Sequence, residues 1–219
     1  MYAFLRALGL SRFAARAGLR LVGCRLEAEG LEHLVGRGPL VLAANHASYA
    51  DVAVLLALLP AGFLFVAKRE VLDYPLIGAF VRRCRHPTVD RWDALQSVTD
   101  TDLVSQALRA GESVLFFPEG TFVAATGLRP FRLGAFVAAA TAGAPVVPLA
   151  LRGTRRVMRG DWRLPRPGPV SLWVGAPIAP EGTDMAALVR LRSSVADTIA
   201  AHCGEPRLDL VAAGPERPS

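Results

Sequence analysis

Residues 39–59 read PLVLAANHASYADVAVLLALL, and the order of signals in this stretch decides the fold. Pro39 to Ala43 is an apolar run of strand length. From about Ser48 to Leu59 the pattern is helical, and the polar turn from Asn45 to Asp51 lies between the two. A buried strand that passes through a short turn into a helix is the repeating unit of α/β proteins. Such folds place their sites at the carboxyl ends of strands, which is where this turn falls.

The same alternation continues on both sides. Arg20 to Glu29 reads as a short strand that ends near Gly30, and Phe63 to Ala67 as another. Tyr74 to Arg83 reads as helix, with Pro75 at a tolerated early position. Asp93 to Arg109 reads as a longer helix stopped by Gly111. Then come a buried strand at Ser113 to Phe117, a helix at Leu133 to Ala142 and a strand at Pro145 to Leu151. A rigid loop from Pro165 to Pro169 leads to a strand at Val170 to Val174, and Asp184 to His202 is the last helix. The fold expected is an α/β sandwich with a largely parallel or mixed central sheet flanked by helices. Residues 1–22 form a basic N-terminal amphipathic helix, 23–203 the main domain, and 204–219, with Pro206, Pro215 and Pro218, a flexible tail.

The 219 residues suit one domain, and 52% hydrophobic against 20% charged residues argues against disorder. The 25 basic and 19 acidic residues leave a net charge of +6, and Lys68 is the only lysine among the bases. An arginine-rich surface suits anionic lipid or phosphate. Aromatics are scarce, at 7%, and no RNA-binding motif is present, so nucleic acid drops to a minor option and is not expected as a partner. Cys24, Cys84 and Cys203 are scattered and lack metal spacing; they read as reduced thiols of a protein facing the cytosol.

No segment reads as a transmembrane helix. The uncharged stretch from Leu133 to Leu151 is broken by Gly143, Pro145 and Pro148. Arg6, Arg12, Arg16 and Arg20 interrupt any signal-peptide core, and on a helix they share an arc of roughly a third of the wheel. Leu10, Ala14, Ala17 and Leu21 lie outside that arc. This helix suits either an anionic bilayer surface or the side of the domain.

Chemistry concentrates in two places. In Asn45-His46-Ala47-Ser48-Tyr49-Ala50-Asp51, a histidine can accept a proton from an alcohol and an aspartate can orient its ring. Five residues of continuous helix would set His46 and Asp51 about 140° apart, so their pairing requires a turn before a helix that starts near Ser48. The competing reading is structural: Ser48 caps the helix, Asp51 sits in its first turn, and His46 is a loop residue. The second place is Phe117-Pro118-Glu119-Gly120-Thr121, a turn sequence at the end of the strand Ser113 to Phe117.

Together, in this order and about 70 residues apart, the two segments resemble the motifs of the glycerolipid acyltransferases, best known from the 1-acylglycerol-3-phosphate acyltransferases. That family carries Asn-His-x4-Asp, an arginine-bearing segment, Phe-Pro-Glu-Gly-Thr, and an apolar segment with a proline. Val89-Asp90-Arg91 is similar to the second, and Pro145-Val146-Val147-Pro148-Leu149-Ala150-Leu151 to the fourth.

The resemblance implies that His46 is the general base and Asp51 its partner. An acceptor hydroxyl attacks the thioester of acyl-coenzyme A or acyl-carrier protein without a covalent acyl-enzyme. It further implies that Arg91 binds the acceptor phosphate, that Glu119 and Gly120 shape the acceptor site, and that Pro148 lines it or the acyl path. Asn45, Ser48 and Thr121 stand with them as substrate-binding candidates. No metal or other cofactor is expected. The family often has arginine after the threonine, where this chain has Phe122; Arg132 stands where the family commonly has a basic residue before a glycine, and can substitute.

The expected activity is acylation of a lysophospholipid, first of all 1-acylglycerol-3-phosphate, at the cytoplasmic face of a bacterial membrane, by a peripheral or monotopic protein. Another lyso-lipid acceptor, such as a lyso-ornithine lipid or a glycolipid precursor, is the alternative within the enzyme class. A non-catalytic lipid-binding protein of the same fold is the alternative outside it.

Overall fold

The computed structural model describes residues 2–36, 38–60, 63–83, 88–89, 104–121, 126–158 and 164–208. Its main sheet has six strands in the order β1-β8-β7-β2-β6-β3, and a separate parallel pair, β4 with β5, lies outside it. The strands are β1 (Cys24–Glu29), β2 (Val41–Ala44), β3 (Phe63–Phe65), β4 (Ala67–Lys68), β5 (Thr88–Val89), β6 (Ser113–Phe116), β7 (Val146–Arg152) and β8 (Gly168–Val174). All main-sheet pairs are parallel except β7 with β8. The expected largely parallel, mixed sheet is the one observed.

The central strands read as unbroken apolar runs because both faces of the sheet are covered. Leu42 and Ala44 of β2 face a layer formed by the helix Ala50–Leu58 and the N-terminal helix Tyr2–Leu21. Val41 and Ala43 face the opposite layer, built from the helices Gly134–Ala142 and Met185–Cys203 with the helical residues 104–109. At the edge strand β1, by contrast, Arg25, Glu27 and Glu29 are exposed, charges that discourage pairing with another chain.

Helix ends follow their expected chemistry. Asp184 caps the last helix by accepting from the Ala187 amide at 3.0 Å. Gly143 ends the helix Gly134–Ala142 in a left-handed conformation, φ 64°, and the chain turns directly into β7. Of the helix expected from Asp93 to Arg109, the first part lies outside the described residues.

The N-terminal helix ends at Leu21 and packs along the helix Ala50–Leu58. Leu19 is buried there, and Arg16 Nε donates to the Ala57 carbonyl at 2.7 Å. Leu10, Phe13 and Leu21 point outward, exposed by 71%, 72% and 89%. The arginine-bearing side is therefore partly turned to the domain, while large apolar side chains meet the surroundings. No helix of the described residues is long and apolar enough to cross a membrane.

Of the tail expected from residue 204, residues 209–219 lie outside the described residues. Glu205 pairs with Arg155, and Leu208 N donates to the Leu128 carbonyl at 2.9 Å, so residues 205–208 are docked on the domain.

Candidate active site

The parallel register of β2 and β6 pairs Val41 with Val114 and Ala43 with Phe116. Both strands therefore release their following turns at the same end of the sheet. This brings Asn45-His46 beside Phe117-Pro118-Glu119, although the two segments are distant in sequence.

The helix after β2 starts at Ala50, so residues 45–48 are free to turn, as the pairing of His46 with Asp51 requires. His46 Nδ1 lies 2.8 Å from Asp51 Oδ2. The same oxygen accepts from the amides of Ala47 at 2.7 Å and Ser48 at 2.8 Å. Asp51 is fully buried, and it fixes the turn and the ring with one oxygen. A carboxylate only accepts, so Nδ1 carries the ring proton and Nε2 the lone pair. The opposing structural reading is half right: Asp51 does sit in the first helical turn, but it also holds His46.

The second motif completes the setting. The Phe117 ring stacks on His46 with centroids 4.1 Å apart and an interplanar angle of 19°. Glu119 is buried, with Oε1 accepting from His46 N at 2.7 Å and Oε2 from Arg129 N at 2.9 Å. Burial pushes its carboxyl up to about 7, against the two amide donors, which favour the ionised form. Glu119 thus braces the base and a neighbouring loop through their backbones, rather than presenting an open carboxylate to an acceptor.

Gly120 closes the turn, its amide donating to Phe117 O at 2.9 Å. Its φ of 76° favours glycine, and a Cβ there would come within 2.8 Å of Arg132 Nε. The Arg132 side chain therefore crosses directly over Gly120, and its residue is exposed. Thr121 is half-buried in the same turn. A cation on the rim of a site that holds a base is suitably placed for an anionic group of a substrate.

Three candidates have other work. The Asn45 amide donates to Leu151 O at 3.0 Å and accepts from Leu151 N at 2.7 Å, which extends the β2–β7 ladder by a side chain. Ser48 is fully buried; its hydroxyl donates to Met158 O and accepts from Ala50 N at 3.0 Å. Pro148 is buried in β7, and a Cβ on Gly175 would come within 2.7 Å of its ring. These side chains build the walls behind the site. Arg91 lies outside the described residues.

Sequence reasoning missed Phe117 as the platform for His46, and it missed the pair Arg155–Glu205. Phe117 stood in a quoted motif but read only as the end of a strand. Nothing local marks Glu205.

Residues 25–152, more than half of the chain, match the family model described as Acyltransferase. A 1-acyl-sn-glycerol-3-phosphate acyltransferase of Cocos nucifera is 32% identical over 135 residues, covering 61% of this chain and 44% of that protein. A lyso-ornithine lipid O-acyltransferase of Brucella abortus is 34% identical over 154 residues, covering 67% of this chain and 56% of that protein. The chain thus spans about half the length of these relatives. The crystal structure of the 1-acyl-sn-glycerophosphate acyltransferase PlsC from Thermotoga maritima matches with a TM-score of 0.76 and 22% identity, over 96% of this chain and 81% of that one.

Proposed function

We propose, since the chain belongs to the acyltransferase family, that it moves a fatty acyl group from a thioester to the free hydroxyl of a lysophospholipid. The observation that carries this reading is the contact of His46 with Asp51 at 2.8 Å, at the end of the sheet where Phe117 and Glu119 also arrive. Nε2 of His46 takes the proton of the acceptor hydroxyl as its oxygen attacks the thioester carbonyl. The C–O bond forms, the C–S bond breaks, and the thiolate leaves with the proton returned from the imidazolium. Asp51 keeps the ring oriented and stabilises its charged form. Acyl-coenzyme A or acyl-carrier protein serves as donor, and no metal or other cofactor takes part in the steps described.

The first acceptor to consider is 1-acylglycerol-3-phosphate, with Arg91 and Arg132 as partners of its phosphate. A lyso-ornithine lipid is the second, favoured by the similarity to the Brucella abortus enzyme and by Phe122, which replaces a cation of the family pattern. Purified protein is supplied with radiolabelled long-chain acyl-coenzyme A or acyl-carrier protein and a panel of lyso-lipids. A labelled diacyl product is expected, and the preferred acceptor decides between the two headgroups. Thioester consumption that yields only free fatty acid, or no consumption with either donor, would overturn the reading.

The reading extends to a peripheral or monotopic protein that works at a membrane surface, at the cytoplasmic face. The outward face of the N-terminal helix supports contact with a membrane surface, because Leu10 and Phe13 stand exposed next to basic residues. Changing Leu10 and Phe13 together to serine removes apolar area from that face without touching the core. Partition into anionic vesicles, measured by co-sedimentation, is expected to fall by about tenfold or more. Unchanged partition would move the docking surface elsewhere on the protein.

A further inference from the structure

The last helix ends at Cys203, and Gly204 turns the chain with φ 74°. The next residues run back against Arg155 and the loop at Gly127 and Leu128. Glu205 Oε1 accepts from Arg155 Nε at 2.8 Å, and Oε2 from Arg155 Nη2 at 2.9 Å. Oε2 also accepts from the amide of Gly127 at 2.9 Å. The two side chains are only 15% and 14% exposed. A bidentate pair of this kind combines strength with a fixed direction. Beyond it, Leu128 N donates to Pro206 O at 2.8 Å and Leu208 N to Leu128 O at 2.9 Å, so residues 206–208 add a short parallel bridge to the loop. Gly127 has no side chain where the strap passes: a Cβ there would lie 2.5 Å from Leu208.

The loop so held is the one that matters for the acceptor. Arg129, the residue after Leu128, gives its amide to Glu119, and Glu119 takes the amide of His46 with its other oxygen. Arg132, further along the loop, crosses Gly120. Arg155 itself follows β7 in the short helix Thr154–Val157, and Met158 beyond it accepts from Ser48 in the turn of the base. The strap, the loop and the turn of His46 form one hydrogen-bonded series.

We infer that Arg155 and Glu205 are positioning residues, which clamp residues 205–208 over the loop 126–132 and so set where its arginines meet the acceptor's anionic headgroup. The inference rests on the transfer reading for its substrate and on geometry alone for the clamp. Neither residue lies in the four motif segments.

The test uses the full chain with Glu205→Gln, which keeps the shape and removes the charge. Loss of a charge-assisted clamp is expected to raise KM for the acceptor about tenfold, while kcat and the thioester KM stay within about twofold. Amide hydrogen exchange in residues 126–132 is expected to quicken, with residues 134–142 unchanged. Arg155→Lys, which keeps the charge but not the fork, is expected to fall between wild type and Glu205→Gln. Arg190→Gln breaks the exposed pair with Glu181 and is expected to change none of these readouts. Equal rises in both KM values, or an unaltered loop exchange, would overturn the clamp. If wild type transfers nothing, the exchange measurement still decides the clamp, and only the transfer reading fails.

Discussion

Replacing His46 with alanine is expected to lower kcat by about 10²–10⁴-fold, with little change in melting temperature or in lyso-lipid binding. The side chain makes one stacking contact with Phe117 and is the outer partner of Asp51, so the fold loses little when it goes. Chemistry loses its proton acceptor. Asp51→Asn is expected to lower kcat over a similar range for a different reason. Its oxygen holds the Nδ1 proton of His46 and two amides of the turn, and an asparagine can turn an NH2 group towards these donors. That variant should also melt earlier, because donors in a fully buried place lose their acceptor. The double variant should transfer no more slowly than His46→Ala alone, since a partner without a base has nothing to orient. Steady-state rates and thermal melts on the four proteins check this. Full activity in His46→Ala would remove the base from the mechanism, and multiplicative losses would mean that Asp51 acts independently of His46.

The site was legible in the sequence where a few adjacent residues carry it. His46 and Asp51 stand five apart, and the requirement for a turn between them is met by a helix that starts at Ala50. The sheet was legible because its strands are short apolar runs covered on both faces. What sequence reading could not show were the partners of polar groups bonded to backbone atoms far along the chain. Asn45 reads as a site residue, and the sequence does not show that both ends of its amide bond to Leu151, 106 residues away. Glu119 reads as a residue that shapes the acceptor site, and the sequence does not show that its two oxygens are held by amides of His46 and Arg129. Glu205 sits in a proline-bearing terminus, and its value comes from Arg155, 50 residues before it. Hydrophobic period and local spacing carry no information about such pairings; only the packed sheet brings them together.

Glu119 makes this difference measurable through pH. Its carboxyl is raised from 4.5 to about 7 in the folded protein, chiefly by burial. The folded state therefore binds a proton more tightly than the unfolded chain does. Linkage then gives the sign: this group's contribution is fully present below about 4.5 and is lost as pH rises through about 7. The shift corresponds to about 3 kcal/mol. Glu119→Gln cannot titrate, so its own contribution does not vary with pH. It carries a fixed penalty instead, because its NH2 faces one of the two amide donors, at about 1–3 kcal/mol. Wild type should therefore exceed the variant in stability by the widest margin below about pH 4.5, and by about 3 kcal/mol less near pH 8. Denaturant unfolding of both proteins at matched pH values isolates this difference, because every other titrating group is shared and cancels. Activity should separate in the opposite sense. Only the ionised carboxylate offers both oxygens as acceptors, so the bracing of His46 and of the loop is complete above about 7, and there the variant's deficit in kcat should be largest. A stability difference that stays constant from pH 5 to pH 8 would mean that Glu119 does not change its protonation on folding, and that its two amide donors hold it ionised throughout.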